Sequence, residues 1–167
     1  MTWLYLIILI FLLTASYAGL TAAPWLPTKK RDVPRLIAMA EIKPGDKVYD
    51  LGCGEGRLVF AAVAKGATAV GIEVSLLPYL VAKIRSFAEP RSKIIFGDFF
   101  HKNISSADIV YVFLMEKSYE RLKRKFLKEL RPGTRVIFHC WKVKGWEDKL
   151  IKSDKPEKEL GIYVYQI

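Results

Sequence analysis

The sequence predicts an α/β fold with a doubly wound, mostly parallel sheet, preceded by one apolar N-terminal helix. Three observations predict it. Short apolar runs typical of strands alternate with helical segments after residue 46. A glycine-rich loop follows the first of these runs, at the place where open parallel sheets bind ligands. The first 28 residues contain no Asp, Glu, Lys or Arg, so all charged side chains belong to the remaining sequence.

Composition limits the kind of protein this is. A chain of 167 residues suits one domain, and 51% hydrophobic residues exclude a disordered or collagen-like chain. Lys and Arg total 27 against 17 acids, which gives a net charge of +10. The two cysteines, Cys53 and Cys140, are too few and too far apart for a disulfide scaffold or a four-cysteine zinc module. We therefore expect no metal site.

The apolar N-terminal segment predicts a membrane anchor. Trp3–Ala23, as a helix, would span about 30 Å, the thickness of a bilayer core. A cleaved signal peptide and a buried core helix are the alternatives, but no positive charge precedes the segment beyond the amino terminus. The basic cluster Lys29–Arg31 follows it and predicts a single-pass protein whose C-terminal domain faces the cytoplasm. We expect an anchor at 1–23, a linker at 24–34 and a domain at 35–167.

The first half of the domain alternates helix and strand. Asp32 can cap a helix over about residues 33–42, because a carboxylate accepts hydrogen bonds from the free amides of a helix start. An apolar run predicts a strand at 47–51. The helix after the glycine loop ends before Gly66, and residues 67–73 form a second strand.

The second half continues this pattern. Residues 76–88 predict a helix, because Pro90 disfavours helical backbone just before it. Apolar side chains at three- and four-residue spacing predict a helix at 117–130. The remaining apolar runs predict strands at 93–96, 109–114, 134–140 and 162–166.

The glycine-rich loop is where chemistry is expected. Gly52–Gly56 follows the first strand, and glycines let the backbone turn tightly and approach a ligand closely. Glu73 ends the second strand, where a carboxylate can accept both hydroxyls of a ribose. These positions predict a ligand that contains a nucleoside.

The acids around this loop select among nucleosides. Arg57 stands where a dinucleotide-binding loop has its last glycine, and Asp50 and Glu55 would repel a pyrophosphate. S-adenosylmethionine has no phosphate, and its sulfonium and ammonium groups suit carboxylates. Asp98, after the third strand, could accept from the adenine amino group, with Phe99 near the ring.

These motifs resemble those of the class I S-adenosylmethionine-dependent methyltransferases, over about residues 24–167. The glycine motif, the ribose acid and the adenine-side acid occur in the family's order and at suitable spacing. The resemblance implies a Rossmann-like sheet and S-adenosylmethionine as cofactor. The residues expected to bind it are Asp50, Gly52, Cys53, Gly54, Gly56, Glu73, Asp98 and Phe99.

A narrower resemblance is to lysine methyltransferases similar to the ATP synthase c-subunit enzyme. It rests on Pro27-Thr28 before the first helix, on the run Val48–Arg57 and on Gly71-Ile72-Glu73. Pro78 and Gly97-Asp98-Phe99 are also similar to histone-lysine methyltransferases of this non-SET fold. The resemblance implies one N-terminal membrane segment and methyl transfer to a protein lysine.

Signals for the methyl acceptor are weaker. Glu116, after the fourth strand, is the candidate catalytic acid, although an acid there also suits the start of a helix. Leu114–Lys117 shows no Asn-Pro-Pro-Tyr-like motif, which argues against a methylase of nucleobase amino groups. We expect surface or loop positions for His101 and His139. Trp141 and Trp146 could line a substrate entrance or simply pack.

The basic side chains of the helix at 117–130 allow three interpretations: a solvated face, attraction to anionic lipid, or nucleic-acid binding. Interleaved stacking aromatics are absent from the sequence, so we do not expect nucleic acid as a partner.

The sequence predicts a membrane-anchored methyltransferase acting on a protein lysine. A methyltransferase of lipid head groups or small molecules, and a cofactor-binding module without catalysis, are the alternatives. The oligomeric state is not predicted.

Overall fold

A seven-stranded β-sheet organises the chain beyond its N-terminal helix. The computed structural model describes residues 2–23 and 26–167; Pro24 and Trp25, at the start of the predicted linker, lie outside the described residues. The helices are α1 (Thr2–Thr21), α2 (Asp32–Ala40), α3 (Arg57–Ala64), α4 (Leu76–Ser86) and α5 (Tyr119–Glu129). The strands are β1 (Lys47–Leu51), β2 (Thr68–Glu73), β3 (Ser92–Phe96), β4 (Ile109–Val112), β5 (Arg135–Cys140), β6 (Leu150–Asp154) and β7 (Gly161–Gln166). Short 3₁₀ turns lie at Phe99–His101, Glu116–Ser118 and Glu147–Lys149.

The strand order β3-β2-β1-β4-β5-β7-β6 places β1 next to both β2 and β4. Strands β1 to β5 are parallel, whereas β7 runs antiparallel to β5 and β6 antiparallel to β7. The predicted mostly parallel sheet is therefore confirmed. Connections reverse direction between β1 and β4, and ligands of open α/β sheets bind beyond the carboxyl ends of such strands.

Both faces of the sheet are covered. Helices α2, α3 and α4 pack on one face, where Leu36, Val59 and Ala82 are buried. Helix α5 covers the other face with Leu122 and Phe126. Buried strands at the centre of a two-sided sheet need apolar residues on both faces, which explains the continuous apolar runs seen in the sequence.

Strand β6 is not predicted by the sequence analysis. Its residues Leu150–Asp154 are half-buried or exposed, and β6 pairs with β7 at the edge of the sheet. An exposed edge strand needs few apolar residues, so the polar and charged residues of β6 do not form the apolar run by which the other strands are predicted. The fourth strand also ends at Val112, before residue 114, and the 3₁₀ turn then precedes α5.

The predicted cap of α2 is wrong. The helix begins at Asp32 itself, with Arg31 in the capping position. The Asp32 carboxylate is buried and pairs with Arg35 of the next turn at 3.3 Å, and Arg35 also pairs with Asp154 at 2.7 Å. Arg35 therefore joins α2 to the β6 edge of the sheet, and Asp32 is its second acidic partner within the helix.

The expected positions of the histidines are half right. His101 is exposed, but His139 is buried in β5, 2% exposed, with its ring 4.4 Å from that of Phe113. Trp146 is buried and packs near Phe138, whereas Trp141 is 41% exposed. His139 belongs to the central strand β5, which is buried on both faces, so its side chain is buried although it is polar.

The N-terminal helix α1 is long and apolar enough to cross a membrane, with a mean hydropathy of 2.1 in its most apolar stretch. Only 6% of that stretch is buried, which argues against the alternative of a core helix. Its C-terminal end contacts the domain. Lys117 Nζ donates to the carbonyl oxygens of Gly19 (2.8 Å) and Leu20 (3.2 Å), and the Met115 amide donates to Ala22 O (3.2 Å).

Candidate functional site

A cleft of about 770 Å³, including the space that opens to solvent, lies at the carboxyl ends of β1, β2 and β4. Asp50, Glu73, Asp98 and Phe99 line it, as the sequence predicts. Three of the loop residues, Gly52, Cys53 and Gly54, line it as well. The structure therefore brings seven of the eight predicted cofactor residues to one cleft; the eighth, Gly56, turns the loop into α3.

The glycine loop takes a conformation that other residues adopt with difficulty. Gly52, Gly54 and Gly56 have φ angles of +79°, +54° and +82°, in the left-handed region. The Gly52 and Cys53 amides both donate to Ile72 O of β2, at 2.9 and 3.1 Å. The loop is thus held to the neighbouring strand, next to Glu73.

The Glu73 carboxylate organises the loops around it. Its Oε2 accepts from the Gly54 amide at 2.8 Å, and its Oε1 accepts from the amides of Val74 (3.0 Å) and Ser75 (2.7 Å). Glu73 is buried, yet it lines the cleft. A carboxylate oxygen has two lone pairs, so Oε2 keeps an acceptor position for a ligand hydroxyl. Glu73 therefore fixes the glycine loop and can still bind a ribose.

Asp50 is a buried carboxyl without a compensating partner. Burial raises its pKa to about 7, and the nearby charge of Glu73 acts in the same direction. Within residues 2–23 and 26–167, no hydrogen bond reaches this carboxylate. A ligand that brings a positive charge would stabilise its ionised form. The ammonium of S-adenosylmethionine supplies such a charge, so the residues present fit this cofactor, whereas a pyrophosphate would not fit.

Asp98 connects the cleft to the N-terminal helix. Its Oδ1 accepts from the Phe100 amide at 2.8 Å, which orients the carboxylate. Its Oδ2 accepts from the Tyr17 hydroxyl of α1, also at 2.8 Å. Phe99 is buried beside it and tilted against Phe100, with 4.5 Å between ring centroids. Asp98 lies where an adenine-side acid is expected and already holds a contact to α1.

Sequence reasoning missed the part of the cleft that α1 and the following segment form. These lining residues are Ala18, Thr21, Ala22, Ala23, Leu26, Pro27 and Thr28. A signal for them exists in the sequence: Thr14, Tyr17 and Thr21 are spaced three and four apart and share one face of the helix. Polar residues on one face of an apolar helix indicate contact with protein.

Glu116, the candidate catalytic acid, lies at the start of the 3₁₀ turn after β4. Its carboxylate pairs with Lys144 at 3.1 Å, and its side chain is 45% exposed. The cleft-lining residues that come closest to it in sequence are Phe113 and Leu114. The structure thus places Glu116 outside the cleft lining and on the surface, and a catalytic role for it stays a prediction.

The basic helix α5 uses several of its charges within the protein. Lys125 is buried and donates to Lys102 O and to Glu129, both at 2.7 Å. Lys123 donates to Glu120 at 3.0 Å. The Arg121 guanidinium lies 3.7 Å from the centre of the Phe100 ring. Part of the positive charge of α5 is therefore used in contacts within the protein.

Comparison with known proteins shows the same class of enzyme. Residues 50–150 match the model of the family described as ANTKMT methyltransferase domain. The chain is 37% identical over 150 residues to a protein-lysine N-methyltransferase of Saccharolobus islandicus (strain REY15A), covering 86% of this chain and 93% of that protein. It is 31% identical over 119 residues to the human lysine N-methyltransferase named for the ATP synthase c-subunit, covering 68% of this chain and 50% of that protein.

A solved structure shows which cofactor belongs to this fold. An RNA methyltransferase from Salinibacter ruber, in complex with S-adenosyl-L-homocysteine, superimposes with a TM-score of 0.78 at 29% identity. The match covers 85% of this chain and 94% of that chain. S-adenosylhomocysteine is what S-adenosylmethionine becomes after methyl transfer, so the predicted cofactor is confirmed. The chain belongs to the ANTKMT methyltransferase domain family, and it is a class I S-adenosylmethionine-dependent methyltransferase.

Proposed function

We propose that this enzyme methylates the side-chain amine of a protein lysine at a membrane surface. The observation that carries the proposal is the contact of α1 with the cleft: Tyr17 bonds Asp98, and Ala22 accepts from Met115 beside the cleft. An acceptor that reaches the cleft therefore approaches next to the helix that we propose as the membrane anchor. The names of the Saccharolobus and human relatives support lysine as the acceptor.

The cofactor, when bound, supplies an electrophilic methyl group on its sulfonium. The chain must hold the cofactor and orient the amine in line with the methyl. In our proposal, Asp50 pairs with the ammonium, Glu73 with the ribose and Asp98 with the adenine. Gly52, Cys53, Gly54 and Gly56 let the backbone approach the cofactor closely, and Phe99 packs near the adenine ring.

A lysine substrate must lose its proton before it can attack. With an ordinary pKa near 10.4, the neutral amine costs about 4–5 kcal/mol at pH 7. Apolar residues along the cleft, Phe113, Leu114, Leu26 and Pro27, would disfavour the charged amine, since burial lowers the pKa of a lysine. The chain can lower part of this barrier by desolvating the acceptor.

We propose that Glu116 attracts the incoming lysine from the rim of the site. Its exposed carboxylate, now paired with Lys144, could exchange this partner for the substrate ammonium. Glu116→Gln should then raise KM for a protein substrate with little effect on cofactor affinity. Glu120→Gln, a matched change of an exposed acid on α5, is the control.

We further propose that α1 anchors the enzyme and that the domain faces the cytoplasm. The basic cluster Lys29–Arg31 follows the helix on the side of the domain, as the positive-inside tendency favours. Protease added outside sealed inside-out vesicles should digest the domain, whereas right-side-out vesicles should protect it. The reverse pattern would contradict this topology.

The substrate is tested by incubating the enzyme with methyl-labelled S-adenosylmethionine and membranes. We expect label in protein, recovered as methyl-lysine after acid hydrolysis, and no transfer by the Glu73→Ala variant. Label in extractable lipid or small molecules would instead favour the head-group or small-molecule alternative. Label in ribonuclease-sensitive material would favour the acceptor named for the Salinibacter relative. Cofactor binding without any transfer would favour a non-catalytic module.

A further inference from the structure

Helix α4 exposes a continuous row of large apolar side chains. Leu77 is 53% exposed, Ile84 68% and Phe87, just past the helix end, 77%. Leu80 and Val81 lie between them and are about 40% exposed. The spacing of three and four residues places all five on one side of the helix. We call this set the α4 apolar face.

The polarity of α4 is the reverse of an ordinary surface helix. Its buried residues are the small Pro78 and Ala82, which pack toward β3 and β2. The large aliphatic residues, which would stabilise a core, point outward instead. A surface helix of a globular protein usually turns its apolar stripe to the core and its charges to water. A contiguous exposed apolar patch of this kind marks a site of interaction with protein or membrane.

The α4 apolar face continues into the exposed surface of α1. The two helices touch: the Leu76 amide, at the start of α4, donates to Thr14 Oγ1 of α1 at 3.2 Å. Beyond this contact, α1 exposes Leu6, Leu9 and Leu13. One apolar surface therefore runs from the helix that is long enough to cross a membrane onto the side of the domain.

The length of α1 adds an independent argument. Thr14, Tyr17 and the last turn contact the domain, so the segment that can project from it is at most Thr2–Leu13. That segment rises about 18 Å, against about 30 Å for the hydrocarbon core of a bilayer. If the domain keeps its contacts with α1, the helix can reach across the core only when the surface around Thr14 itself enters the interface. That surface includes the start of α4.

Charges around the face fit anionic lipid. From residue 76 to residue 97 the sequence holds four basic side chains, Lys83, Arg85, Arg91 and Lys93, and one acid, Glu89. Arg85, Arg91 and Lys93 are all exposed, and Arg85 also donates to Glu55 O at 2.8 Å. Basic side chains near an anionic leaflet are attracted by its negative surface potential and so strengthen binding.

We infer that the α4 apolar face lies in the membrane interface, among anionic lipid head groups, beside the inserted α1. The inference rests on the membrane attachment proposed above, but not on lysine as the acceptor. Interfacial helices bury their apolar side about 5–10 Å into the boundary between head groups and acyl chains. The domain would then be fixed at two places, α1 and α4, with the cleft between Asp98 and Leu114 held at the membrane surface.

The test uses the full chain in vesicles of phosphatidylcholine and phosphatidylserine, with Cys140→Ser as background because Cys53 is buried. A nitroxide is attached at Ile84→Cys or, as matched control, at Ile151→Cys. Both positions are exposed isoleucines, but Ile151 lies on β6, at the opposite edge of the sheet. Collision rates of each label with apolar oxygen and with a water-soluble nickel complex are compared, after cofactor binding has confirmed that each labelled chain is folded.

We expect an oxygen-to-nickel collision ratio several-fold higher at position 84 than at position 151. Equal ratios, in a chain that stays with the vesicles through an alkaline wash, would overturn the inference and leave the anchor standing. A chain that does not sediment with vesicles would overturn both. Loss of access for both reagents at position 84 would show protein covering the face and would also overturn it. Methyl transfer in the same preparation is measured separately, so the lysine proposal stands or falls on its own.

Discussion

The Tyr17 hydroxyl of α1 donates a hydrogen bond of 2.8 Å to Oδ2 of Asp98, 81 residues further along the chain. Asp98 is one of the cleft acids, so the N-terminal helix is joined directly to the proposed cofactor site. Thr14 and the carbonyl groups of Gly19 and Leu20 provide further contacts. In this enzyme the proposed anchor is thus also a wall of the site.

Replacing Tyr17 should loosen the end of α1. Tyr17→Phe removes the hydrogen bond to Asp98 and leaves the ring, so one of the contacts that hold α1 to the domain is lost. We expect amide exchange over residues 14–21 to become several-fold faster in detergent, as measured by mass spectrometry. Exchange in α3 should not change.

Tyr5→Phe is the matched control for this change. Tyr5 lies in the same helix and is 63% exposed. Its variant should exchange like the unaltered protein. Equal exchange of residues 14–21 in all three proteins would show that the Tyr17 bond does not hold the helix to the domain.

Two variants of Glu73 should distinguish its role in cofactor binding from its role in holding the glycine loop. Glu73→Gln keeps the size of the side chain but removes the charge that accepts from Gly54, Val74 and Ser75. We expect affinity for S-adenosylmethionine, measured by calorimetry, to fall at least about tenfold, because charged hydrogen bonds contribute about 1.5–3 kcal/mol.

Glu73→Ala should in addition lower the melting temperature, since it leaves buried amides without an acceptor. An exposed acid, Glu120, changed to Gln provides the control and should alter neither quantity. Unchanged cofactor affinity in both Glu73 variants would show that the ribose is bound elsewhere.

How well the sequence predicts this site depends on how far apart its residues lie along the chain. Asp50 is the last residue but one of β1 and Glu73 ends β2, and the parallel pairing of these strands brings the two acids together. The docking of Tyr17 on Asp98 depends on where a helix folds back, which local spacing does not determine. Residue type alone also does not determine the burial of His139, since Asp32, 3.9 Å from its ring, comes from a helix more than a hundred residues earlier.

Cofactor binding should depend on the ionisation of Asp50. The pKa of this carboxyl is raised to about 7 by burial and by Glu73, and a cationic ligand binds its ionised form. Affinity should therefore rise by up to about tenfold from pH 6 to pH 8 and level off above. Calorimetry with S-adenosylhomocysteine, which carries the same ammonium and does not react, measures this.

Asp50→Asn should abolish the rise and weaken binding at pH 8. The same variant should be more stable than the unaltered protein at pH 8 and nearly equal to it at pH 4. A carboxyl whose pKa is raised from 3.8 to about 7 by folding opposes folding once it ionises, by up to about 4 kcal/mol. A pH-independent affinity in the unaltered protein would contradict the role of Asp50.

Gly71, in the middle of β2, leaves room for the side chain of Cys53 in the glycine loop. A Cβ there would lie 2.6 Å from Cys53 Sγ and 2.9 Å from Val59 Cγ2, closer than atoms can pack. Gly71→Ala should destabilise the protein by about 1–3 kcal/mol, as overpacking does, and weaken cofactor binding by displacing Cys53. Thermal unfolding and calorimetry in detergent measure the two effects.

Gly19→Ala is the control for this change, because the part of the chain that the structure describes places nothing outside the helix's own backbone and the adjacent residues within 4 Å of the added Cβ. Combining Gly71→Ala with Cys53→Ala should restore part of the stability, since the nearest clashing atom, Sγ, is removed. Full stability in Gly71→Ala alone would show that the loop shifts freely away from β2.

His139 should make stability depend on acid. Burial lowers its pKa from 6.5 to about 4, with Asp32 opposing this shift and Arg35 adding to it. Among the residues that the structure describes, neither ring nitrogen has a hydrogen-bond partner. His139 therefore gains a proton below about pH 6.5 in the unfolded chain, but only below about pH 4 in the folded protein. Stability from this group is complete above pH 6.5 and falls by about 3 kcal/mol as the pH drops through this window.

His139→Gln should remove this part of the pH dependence, although its buried amide will lower stability at every pH. His101→Gln, at an exposed histidine, is the matched control. Denaturant unfolding at pH 7, 6, 5 and 4 measures the free energies, and the difference in slope between the two variants isolates the buried ring. Parallel slopes would mean that His139 gains its proton in the folded state, with Asp32 at 3.9 Å as its counter-ion.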